Sequence, residues 1–302
     1  MNKLQEQIQA LKQEKDAVIL AHYYVEDEVQ EIADYVGDSY YLSKIATEVP
    51  QQTICFAGVS FMGESAKILN PEKTVLLPDT TADCPMAHMA TVEKIEQIRS
   101  QYEDVAVVCY INSTTELKAH SDVCVTSANA MKIVKKLPNK NIYFIPDQHL
   151  GSYIAAKVPE KNFIFNDGFC PVHQKFTVEN VKAAKAVHPK AKFLVHPESP
   201  KEVVELADFV GSTSEIITYA GNDSADSFLV GTESGVMYAL KERYPNKVFY
   251  EVTAKQCCMD MKKVTLEKVK NCLEQGSGEV KLEETVRLKS VDALDRMLEL
   301  AK

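Results

Sequence analysis

Residues 18–24 read VILAHYY, an apolar, β-rich run that ends in polar side chains. Two similar runs follow along the chain, VVCYINS at 107–113 and KFLVHPES at 192–199. The apolar part of each run ends at a residue with a polar group, and these residues are His22, Tyr110 and His196. They lie 88 and 86 residues apart in the sequence. A spacing kept this closely indicates an internal repeat of about 87 residues.

Two other features of the sequence keep the same spacing. A hydroxyl residue stands 17 positions after the polar residue that ends each apolar run: Ser39, Ser127 and Thr213. A helix-opening Thr-Val-Glu or Thr-Leu-Glu begins at positions 91, 177 and 265. A cysteine precedes each of these by seven positions: Cys84, Cys170 and Cys258. This spacing selects Cys258 rather than its neighbour Cys257 as the cysteine of the third repeat. Because several features keep the same spacing, we take the repeat to be real and call such equivalent positions in register.

The repeat predicts an α/β protein made of three pseudo-symmetric αβα lobes. Within each repeat, short apolar runs alternate with helical patterns, which is typical of βα units and small parallel sheets. We expect lobes at residues 1–86, 87–172 and 173–265, with residues 266–302 packing back on the first lobe. Ligands bind outside the carboxyl ends of strands in open parallel sheets. If the lobes surround a pseudo-threefold axis, these ends converge on one central active site.

The composition argues against several classes of protein. The 302 residues carry 34 basic and 43 acidic side chains, and the net charge of −9 argues against a nucleic-acid or membrane partner. The N-terminal MNKLQEQIQALKQEK is a charged amphipathic helix without a secretory apolar region. No apolar run approaches the roughly 18 residues of a membrane span. We therefore expect a cytoplasmic protein, in which the eight cysteines form no disulfide framework.

The three cysteines in register allow three interpretations: a zinc site, an iron–sulfur cluster, or packed thiols. Zinc sites built from local ligands usually contain CxxC pairs, which this sequence lacks. Cys84 and Cys170 are each followed by proline, a neighbour also found in bacterial ferredoxin motifs. Three ligands to a four-iron cluster would leave one iron open to act as a Lewis acid. The repeat favours a metal site without identifying the metal.

The three hydroxyl residues in register predict an anion-binding site. Ser39, Ser127 and Thr213 stand at predicted helix starts, where main-chain N–H groups and the helix dipole favour negative charge. Ordinary N-capping would explain one such residue. Three of them facing one site favour a substrate that carries phosphate or several carboxylates.

Candidate proton-transfer groups follow the first strand of two lobes. Histidine and carboxylate side chains near a metal can exchange protons at neutral pH, and the candidates are His22, Tyr24, His196 and Glu198. In the second lobe, Tyr110 and Asn112 are expected to orient a substrate through hydrogen bonds. The remaining histidines give weak signals: His88, His120, His149, His173 and His188.

The chain resembles the quinolinate synthase family. The segments that carry the resemblance run in order over nearly the whole chain: AHYY, GDS, CPMA, YINST, TSAN, CPVH, VHPE, GST, GTE and C-x-x-M-K-K. Each segment alone is weak, but the combination is specific. The resemblance implies three α/β lobes around a central site and an oxygen-sensitive [4Fe–4S] cluster held by one cysteine per lobe. It also implies an enzyme of NAD biosynthesis that condenses iminoaspartate with dihydroxyacetone phosphate to quinolinate, releasing phosphate and water.

The resemblance assigns roles to individual positions. The cluster ligands by this match are Cys84, Cys170 and Cys258. The substrate-binding positions are His22, Ser39, Tyr110, Ile111, Asn112, Ser127, His196, Pro197, Glu198 and Thr213. The catalytic positions are His22, Tyr24, Tyr110, His196 and Glu198. Cys257, directly beside Cys258, departs from the family pattern. The resemblance also allows transient contact with an aspartate-oxidising enzyme, from which the imine would arrive.

Two functions of other kinds compete with this interpretation. One is a zinc-dependent lyase with three thiolates and an open metal position, which metal analysis would separate from a cluster enzyme. The other is a non-catalytic carboxylate-binding or iron–sulfur sensor protein, which would bind its ligand without consuming it. A packed α/β protein with inert cysteines fits least well, because it leaves the in-register polar residues unexplained.

Overall fold

The computed structural model describes residues 2–302, which form fourteen α-helices and twelve β-strands. The strands make three four-stranded sheets, one in each predicted lobe. The first lobe contains, in chain order, α1 (Lys3–Glu14), β1 (Ala17–His22), α2 (Asp27–Ile32), β2 (Tyr35–Gly37), α3 (Ser39–Glu48), β3 (Thr53–Ala57), α4 (Ser60–Leu69) and β4 (Thr74–Leu76).

The second and third lobes repeat this order of elements. The second contains α5 (Val92–Gln101), β5 (Val105–Tyr110), α6 (Thr115–Ala119), β6 (Val123–Val125), α7 (Ala130–Lys136), β7 (Asn141–Ile145), α8 (Gln148–Ala155) and β8 (Asn162–Phe165). The third contains α9 (Val178–Val187), β9 (Lys192–Val195), α10 (Lys201–Val204), β10 (Phe209–Val210), α11 (Thr213–Asn222), β11 (Ser227–Gly231), α12 (Val236–Arg243) and β12 (Val248–Glu251). The chain then closes with α13 (Leu266–Gln275) and α14 (Glu284–Leu300).

The three sheets share one topology. Their strand orders are β2-β1-β3-β4, β6-β5-β7-β8 and β10-β9-β11-β12, and every neighbouring pair is parallel. The first strand of each lobe is therefore flanked by strands on both edges, and every residue of β1 and of β5 is buried. Strands covered on both faces read as continuous apolar runs, as VILAHYY does. The predicted fold class, α/β with three lobes of small parallel sheets, is confirmed.

The recurring Thr-Val/Leu-Glu motif marks three helix starts. In each case the threonine Oγ1 accepts a hydrogen bond from the main-chain N–H three residues on, at 3.1–3.4 Å, and thus caps the helix. The capped helices are α5, α9 and α13, and their caps are Thr91, Thr177 and Thr265. The first two open the second and third lobes. The last, α13, packs against α1 and β3 and so returns the chain to the first lobe.

The C-terminal segment divides between two lobes, whereas we expected all of residues 266–302 on the first. The helix α13 lies there, but α14 packs against α6, β6 and α7 of the second lobe as well as α4 of the first. The hydroxyl of Ser290 in α14 donates to the carbonyl of Thr115 at 3.0 Å, and Arg296 donates to the carbonyl of Asp122 at 3.2 Å. This last helix therefore joins the first two lobes.

The hydrophobic core distinguishes the third lobe from the others. Apolar side chains of the first two lobes and of α13 and α14 form one continuous buried cluster. Those of the third lobe form two clusters of their own, and Tyr23 of the first lobe packs into one of them. Within residues 2–302, no helix has both the length and the apolar character that crossing a bilayer requires.

Candidate active site

The carboxyl ends of strands from all three lobes border one central cavity. Twelve of the fourteen predicted site residues line it: His22, Tyr24, Ser39, Cys84, Tyr110, Asn112, Ser127, Cys170, His196, Glu198, Thr213 and Cys258. They come from three stretches of each lobe, namely the ends of the first and second strands and the loop after the fourth. The in-register residues of the sequence are thus brought together in space.

Ile111 and Pro197 are the two predicted residues whose side chains lie outside this cavity. Ile111 is 1% exposed and belongs to the hydrophobic core, while its main-chain N–H donates to the carbonyl of Val125 at 2.8 Å. Pro197 is buried and lines a separate groove between the second and third lobes. Each lies in the chain between two residues that line the cavity. Successive side chains of an extended chain point to opposite sides, so the middle one points away. Any contact that these two make with a ligand is therefore through the main chain.

Each of the three cysteines precedes a tight turn whose main-chain N–H groups favour the thiolate form of its sulfur. These groups belong to Met86 and Ala87 for Cys84, Val172 and His173 for Cys170, and Asp260 and Met261 for Cys258. Burial raises the pKa of all three thiols, to about 11 for Cys258. The free thiols therefore keep their protons at neutral pH, and a metal must displace those protons to bind. Amide donors of this kind stabilise cysteine sulfurs in iron–sulfur sites.

Buried or half-buried carboxylates hold the main chain of these cysteines in place. The N–H of Cys84 donates to Asp83 at 2.8 Å, that of Cys170 to Asp147 at 3.2 Å, and that of Cys258 to Glu233 at 3.0 Å. Asp147 and Glu233 are 0% exposed. These two follow the third strand of their lobes and lie 86 residues apart, in the register of the repeat. Neither Asp147 nor Glu233 was among the site residues predicted from the sequence.

The separation of the donor atoms bears on which metal could bind. Among residues 2–302, one trio of candidate ligands has all its donor atoms within 4.8 Å of one another, and it consists of Cys170, His173 and Glu198. The in-register cysteines do not form so tight a group. A single tetrahedral zinc ion, with Zn–S bonds of about 2.3 Å, holds thiolates only about 3.8 Å apart. Because the three sulfurs do not lie this close together, they suit a polynuclear cluster better than one ion.

His22 and His196 occupy equivalent positions and make equivalent contacts. In each, Nδ1 accepts a hydrogen bond from the main-chain N–H two residues later, that of Tyr24 at 3.2 Å and that of Glu198 at 3.3 Å. The ring proton therefore resides on Nε2 in both. Burial lowers the pKa of each histidine to about 3, so both rings are neutral at physiological pH. From His196, Nε2 reaches Ser127 Oγ at 3.2 Å.

His173, which gave only a weak signal in the sequence, lies at the centre of the site. It is 1% exposed, its Nδ1 lies 2.7 Å from Glu198 Oε2 and 3.1 Å from Cys170 Sγ, and its ring stacks on His196. Burial opposes ionisation of Glu198, but the nearby His196 and His173 outweigh that effect and lower its pKa. The Glu198 carboxylate is therefore ionised, and His173 belongs with the site residues.

Tyr24 links the first lobe to the third through hydroxyl groups. Its Oη lies 2.6 Å from Thr213 Oγ1 and 2.8 Å from Thr232 Oγ1. The hydroxyl of Thr232 in turn lies 2.9 Å from His173 Nε2. Because His173 Nδ1 faces the ionised Glu198, its neutral form carries the proton there and accepts from Thr232 through Nε2. A continuous hydrogen-bond chain thus runs from Tyr24 through Thr232 and His173 to Glu198.

The predicted hydroxyl residues stand close to helix starts, but they are not the caps. Ser39 and Thr213 are the first residues of α3 and α11, whose caps are the preceding Asp38 and Ser212. Their own hydroxyls are therefore not used for capping, and both residues line the cavity. Ser127 differs, because the helix that follows it begins only at Ala130.

Cys257 and the other cysteines are free thiols. All eight cysteines of the chain lie within the described residues, and none of them is paired in a disulfide. Cys257 is half-buried and lines the cavity beside Cys258. Burial raises its pKa, and the hydroxyl of Ser234 lies nearby. Cys55, Cys109, Cys124 and Cys272 are buried away from the cavity.

Comparison with known proteins gives a consistent result over the full chain. The family model described as quinolinate synthetase A protein matches residues 6–299. A quinolinate synthase of Fusobacterium nucleatum is 51% identical over 298 residues, which cover 99% of this chain and 99% of that protein. One of Caldicellulosiruptor saccharolyticus is 50% identical over 301 residues, covering 100% and 99%. One of Clostridioides difficile is 49% identical over 296 residues, covering 98% and 97%.

Proposed function

This chain belongs to the quinolinate synthase family of NAD biosynthesis, and we propose that it condenses iminoaspartate with dihydroxyacetone phosphate to form quinolinate, releasing phosphate and water. The observation that carries the proposal is the convergence of one cysteine from each lobe with two histidines and Glu198 in a single cavity. A condensation that loses water is accelerated by a Lewis acid and by groups that move protons, and this cavity can supply both.

We infer that Cys84, Cys170 and Cys258 hold a [4Fe–4S] cluster. The fit is supported by three observations on these residues. The thiols are free, two main-chain N–H groups favour the thiolate form of each sulfur, and the three sulfurs do not all lie within 4.8 Å of one another. When bound through three thiolates, such a cluster supplies one iron with an open position that acts as a Lewis acid on a substrate atom.

Glu198 is the general base in this proposal. Its carboxylate is ionised, 3% exposed and part of the cavity wall, where it can reach a proton of bound substrate. His173 donates to its Oε2, and this contact fixes the orientation of the carboxylate. His22 and His196 are neutral and carry their protons on Nε2, so they serve as hydrogen-bond donors rather than as cations.

Tyr24 is the group best placed to exchange a proton with the triose. Burial raises its pKa, so the phenol is protonated and can donate. A proton that Tyr24 gives up can be replaced along the chain of hydroxyl and imidazole groups formed by Thr232 and His173. Tyr110 and Asn112 line the same cavity as Glu198, where they can orient the substrate.

Ser39, Ser127 and Thr213 bind the negatively charged groups of the substrates in this proposal. Two of them are the first residues of ten-residue helices, whose positive dipole ends face the cavity. Hydroxyl donors at helix starts suit carboxylate and phosphate oxygens. We further propose a cytoplasmic location, in keeping with eight free thiols, and transient contact with an aspartate-oxidising enzyme that supplies the imine.

A mononuclear zinc site is the second candidate. It is favoured by the close approach of Cys170, His173 and Glu198, a thiolate, imidazole and carboxylate set that zinc accepts. In that case the enzyme would be a zinc-dependent lyase, and Cys84 and Cys258 would be unnecessary for metal binding.

Product formation under anaerobic conditions tests the proposal directly. Protein purified without oxygen is incubated with dihydroxyacetone phosphate and with iminoaspartate generated in the same vessel, and quinolinate is measured by liquid chromatography and mass spectrometry. We expect quinolinate only when both substrates are present, and loss of product after exposure to air. Quinolinate formation by protein that contains zinc and no iron would favour the second candidate.

A further inference from the structure

The second lobe presents buried polar atoms that have no partner. Within the described chain, five buried side-chain nitrogen or oxygen atoms lack a hydrogen bond, and three of them are Asn112 Oδ1, Thr126 Oγ1 and Asn129 Nδ2. Asn112 and Thr126 line the central cavity, and Thr126 is only 3% exposed. A buried hydroxyl without a partner destabilises a folded protein, so its presence in a cavity points to a ligand.

Comparison of the lobes shows that capping does not account for Thr126. The equivalent residues, 88 positions before and 86 after, are Asp38 and Ser212. Each caps a helix, because Asp38 accepts from the N–H of Tyr41 at 2.9 Å and Ser212 from that of Glu215 at 3.3 Å. Asp38 also accepts from the hydroxyl of Ser214 at 2.5 Å. The polar side chains at this position in the first and third lobes are therefore already used.

In the second lobe the local chain runs differently. The helix α7 begins only at Ala130, and the main-chain N–H of Thr126 donates to Asn129 Oδ1 at 2.7 Å. The carbonyl of Thr126 accepts from the N–H of Ala130 at 2.9 Å. Both main-chain groups are thus satisfied within the turn. The hydroxyl alone is left over, buried at the wall of the cavity.

We propose that Thr126 is a substrate-binding residue whose hydroxyl donates a hydrogen bond to a carboxylate oxygen of the dicarboxylate substrate or product. The proposal rests on the proposed function, because it takes its ligand from that reaction. The neighbouring Ser127 Oγ faces His196 Nε2–H at 3.2 Å, accepts from it and keeps its own proton free to donate. Neutral donors on one wall of a cavity match the lone pairs of a carboxylate.

Replacement of Thr126 by valine separates a binding role from a structural one. Valine has nearly the same shape and lacks the hydroxyl, and the change removes no hydrogen bond to another protein group. We therefore expect the melting temperature of Thr126→Val to equal or exceed that of the wild type. Because a hydrogen bond to a charged group is lost, the Kd for quinolinate should rise about 10-fold to 100-fold. Thr126→Ser, which keeps the hydroxyl, should bind within a few-fold of the wild type.

The experiment is isothermal titration of quinolinate into cluster-loaded protein without oxygen, with thermal unfolding of the same samples. Thr47→Val is the matched control, because Thr47 is an exposed helical threonine whose hydroxyl bonds within its own helix. Equal quinolinate affinity in Thr126→Val and wild type would overturn the proposal. A melting temperature lowered by the same amount in Thr126→Val and Thr126→Ser would overturn it as well. If the wild type neither forms nor binds quinolinate, the proposed function fails, and this assignment fails with it.

Discussion

The main-chain N–H of Cys258 donates a hydrogen bond of 3.0 Å to the buried carboxylate of Glu233, which also accepts from the N–H of Gly235 at 2.6 Å. The ammonium group of Lys262 lies 3.5 Å from the same carboxylate and donates to the carbonyl of Tyr24 at 2.8 Å. One side chain thus fixes a cysteine of the third lobe and, through Lys262, the loop after the first strand of the protein.

Replacement of Glu233 by alanine should destabilise the protein and loosen the metal site. The change leaves two main-chain donors without their acceptor and a half-buried lysine without its ion-pair partner, so we expect a loss of about 3 kcal/mol in the free energy of unfolding. Iron content per chain should fall by half or more. Glu233→Gln keeps an acceptor and should retain most of its iron. Urea unfolding and iron analysis of both variants test this, and full iron content in the alanine variant would contradict it.

Replacement of Glu198 by glutamine should lower turnover while leaving the metal in place. The amide has the shape of the carboxylate but cannot act as a base, and loss of a general base usually lowers the rate about 100-fold to 10,000-fold. Iron content and the visible spectrum should match those of the wild type. An unchanged rate of quinolinate formation would remove Glu198 from the catalytic groups, and loss of metal would instead favour the second candidate, a mononuclear site.

Replacement of His173 by asparagine should also lower turnover. The variant loses the donor to Glu198 Oε2 and breaks the chain between Thr232 and that carboxylate, so we expect a fall in kcat of at least about 10-fold. His188→Asn is the control, because His188 stacks on Tyr250 away from the cavity. If the two variants have the same kcat, His173 is a structural residue only. Steady-state kinetics on anaerobic protein of equal iron content decide between these outcomes.

Stability should fall with pH below about 6.5 because of the buried histidines. His22 and His196 have folded-state pKa values of about 3, while an unfolded histidine titrates near 6.5. Between these values the unfolded chain binds more protons than the folded one, so stability is fully present above pH 6.5 and is lost as the pH falls. Each histidine should contribute a slope of about 1.4 kcal/mol per pH unit.

The variant His196→Asn tests the origin of this slope. It removes one of the two buried imidazoles, so the dependence of the free energy of unfolding on pH between 6.5 and 4.5 should become shallower by about 1.4 kcal/mol per unit. Urea unfolding at several pH values gives both slopes. His149→Asn is the control, because His149 is half-buried outside the cavity and the variant keeps both buried imidazoles. Equal slopes in wild type and His196→Asn would show that the buried imidazole of His196 does not cause the pH dependence.

The repeat allowed the fold, and the meeting of the predicted residues around one cavity, to be predicted, because equivalent positions of similar lobes face a common axis. His173 escaped because its counterparts in the other lobes are Ala87 and Met261, so no recurring polar residue marked it. Its importance depends on a contact with Glu198, 25 positions away. Such a contact is set by how two loops meet rather than by local pattern.

Two other features lay beyond the sequence for related reasons. Asp147 and Glu233 are in register, but the equivalent residue of the first lobe is Val59, and there Asp83 binds the cysteine amide instead. The C-terminal helix α14 shows the same limit. Its sequence indicates that one face is buried, but amphipathic pattern does not say which lobe will cover that face, and the helix packs across two.

The most direct test of the central claim is the iron and acid-labile sulfide content of protein purified without oxygen, with visible and EPR spectra, for the wild type, Cys258→Ser and Cys257→Ser. The two cysteines are neighbours in the chain and both line the cavity, so each variant controls for the other. We predict about four irons per chain in the wild type and in Cys257→Ser, and loss of the cluster in Cys258→Ser. A colourless protein with one zinc or no metal, even after reconstitution with iron and sulfide, would contradict the assignment of an iron–sulfur cluster to Cys84, Cys170 and Cys258.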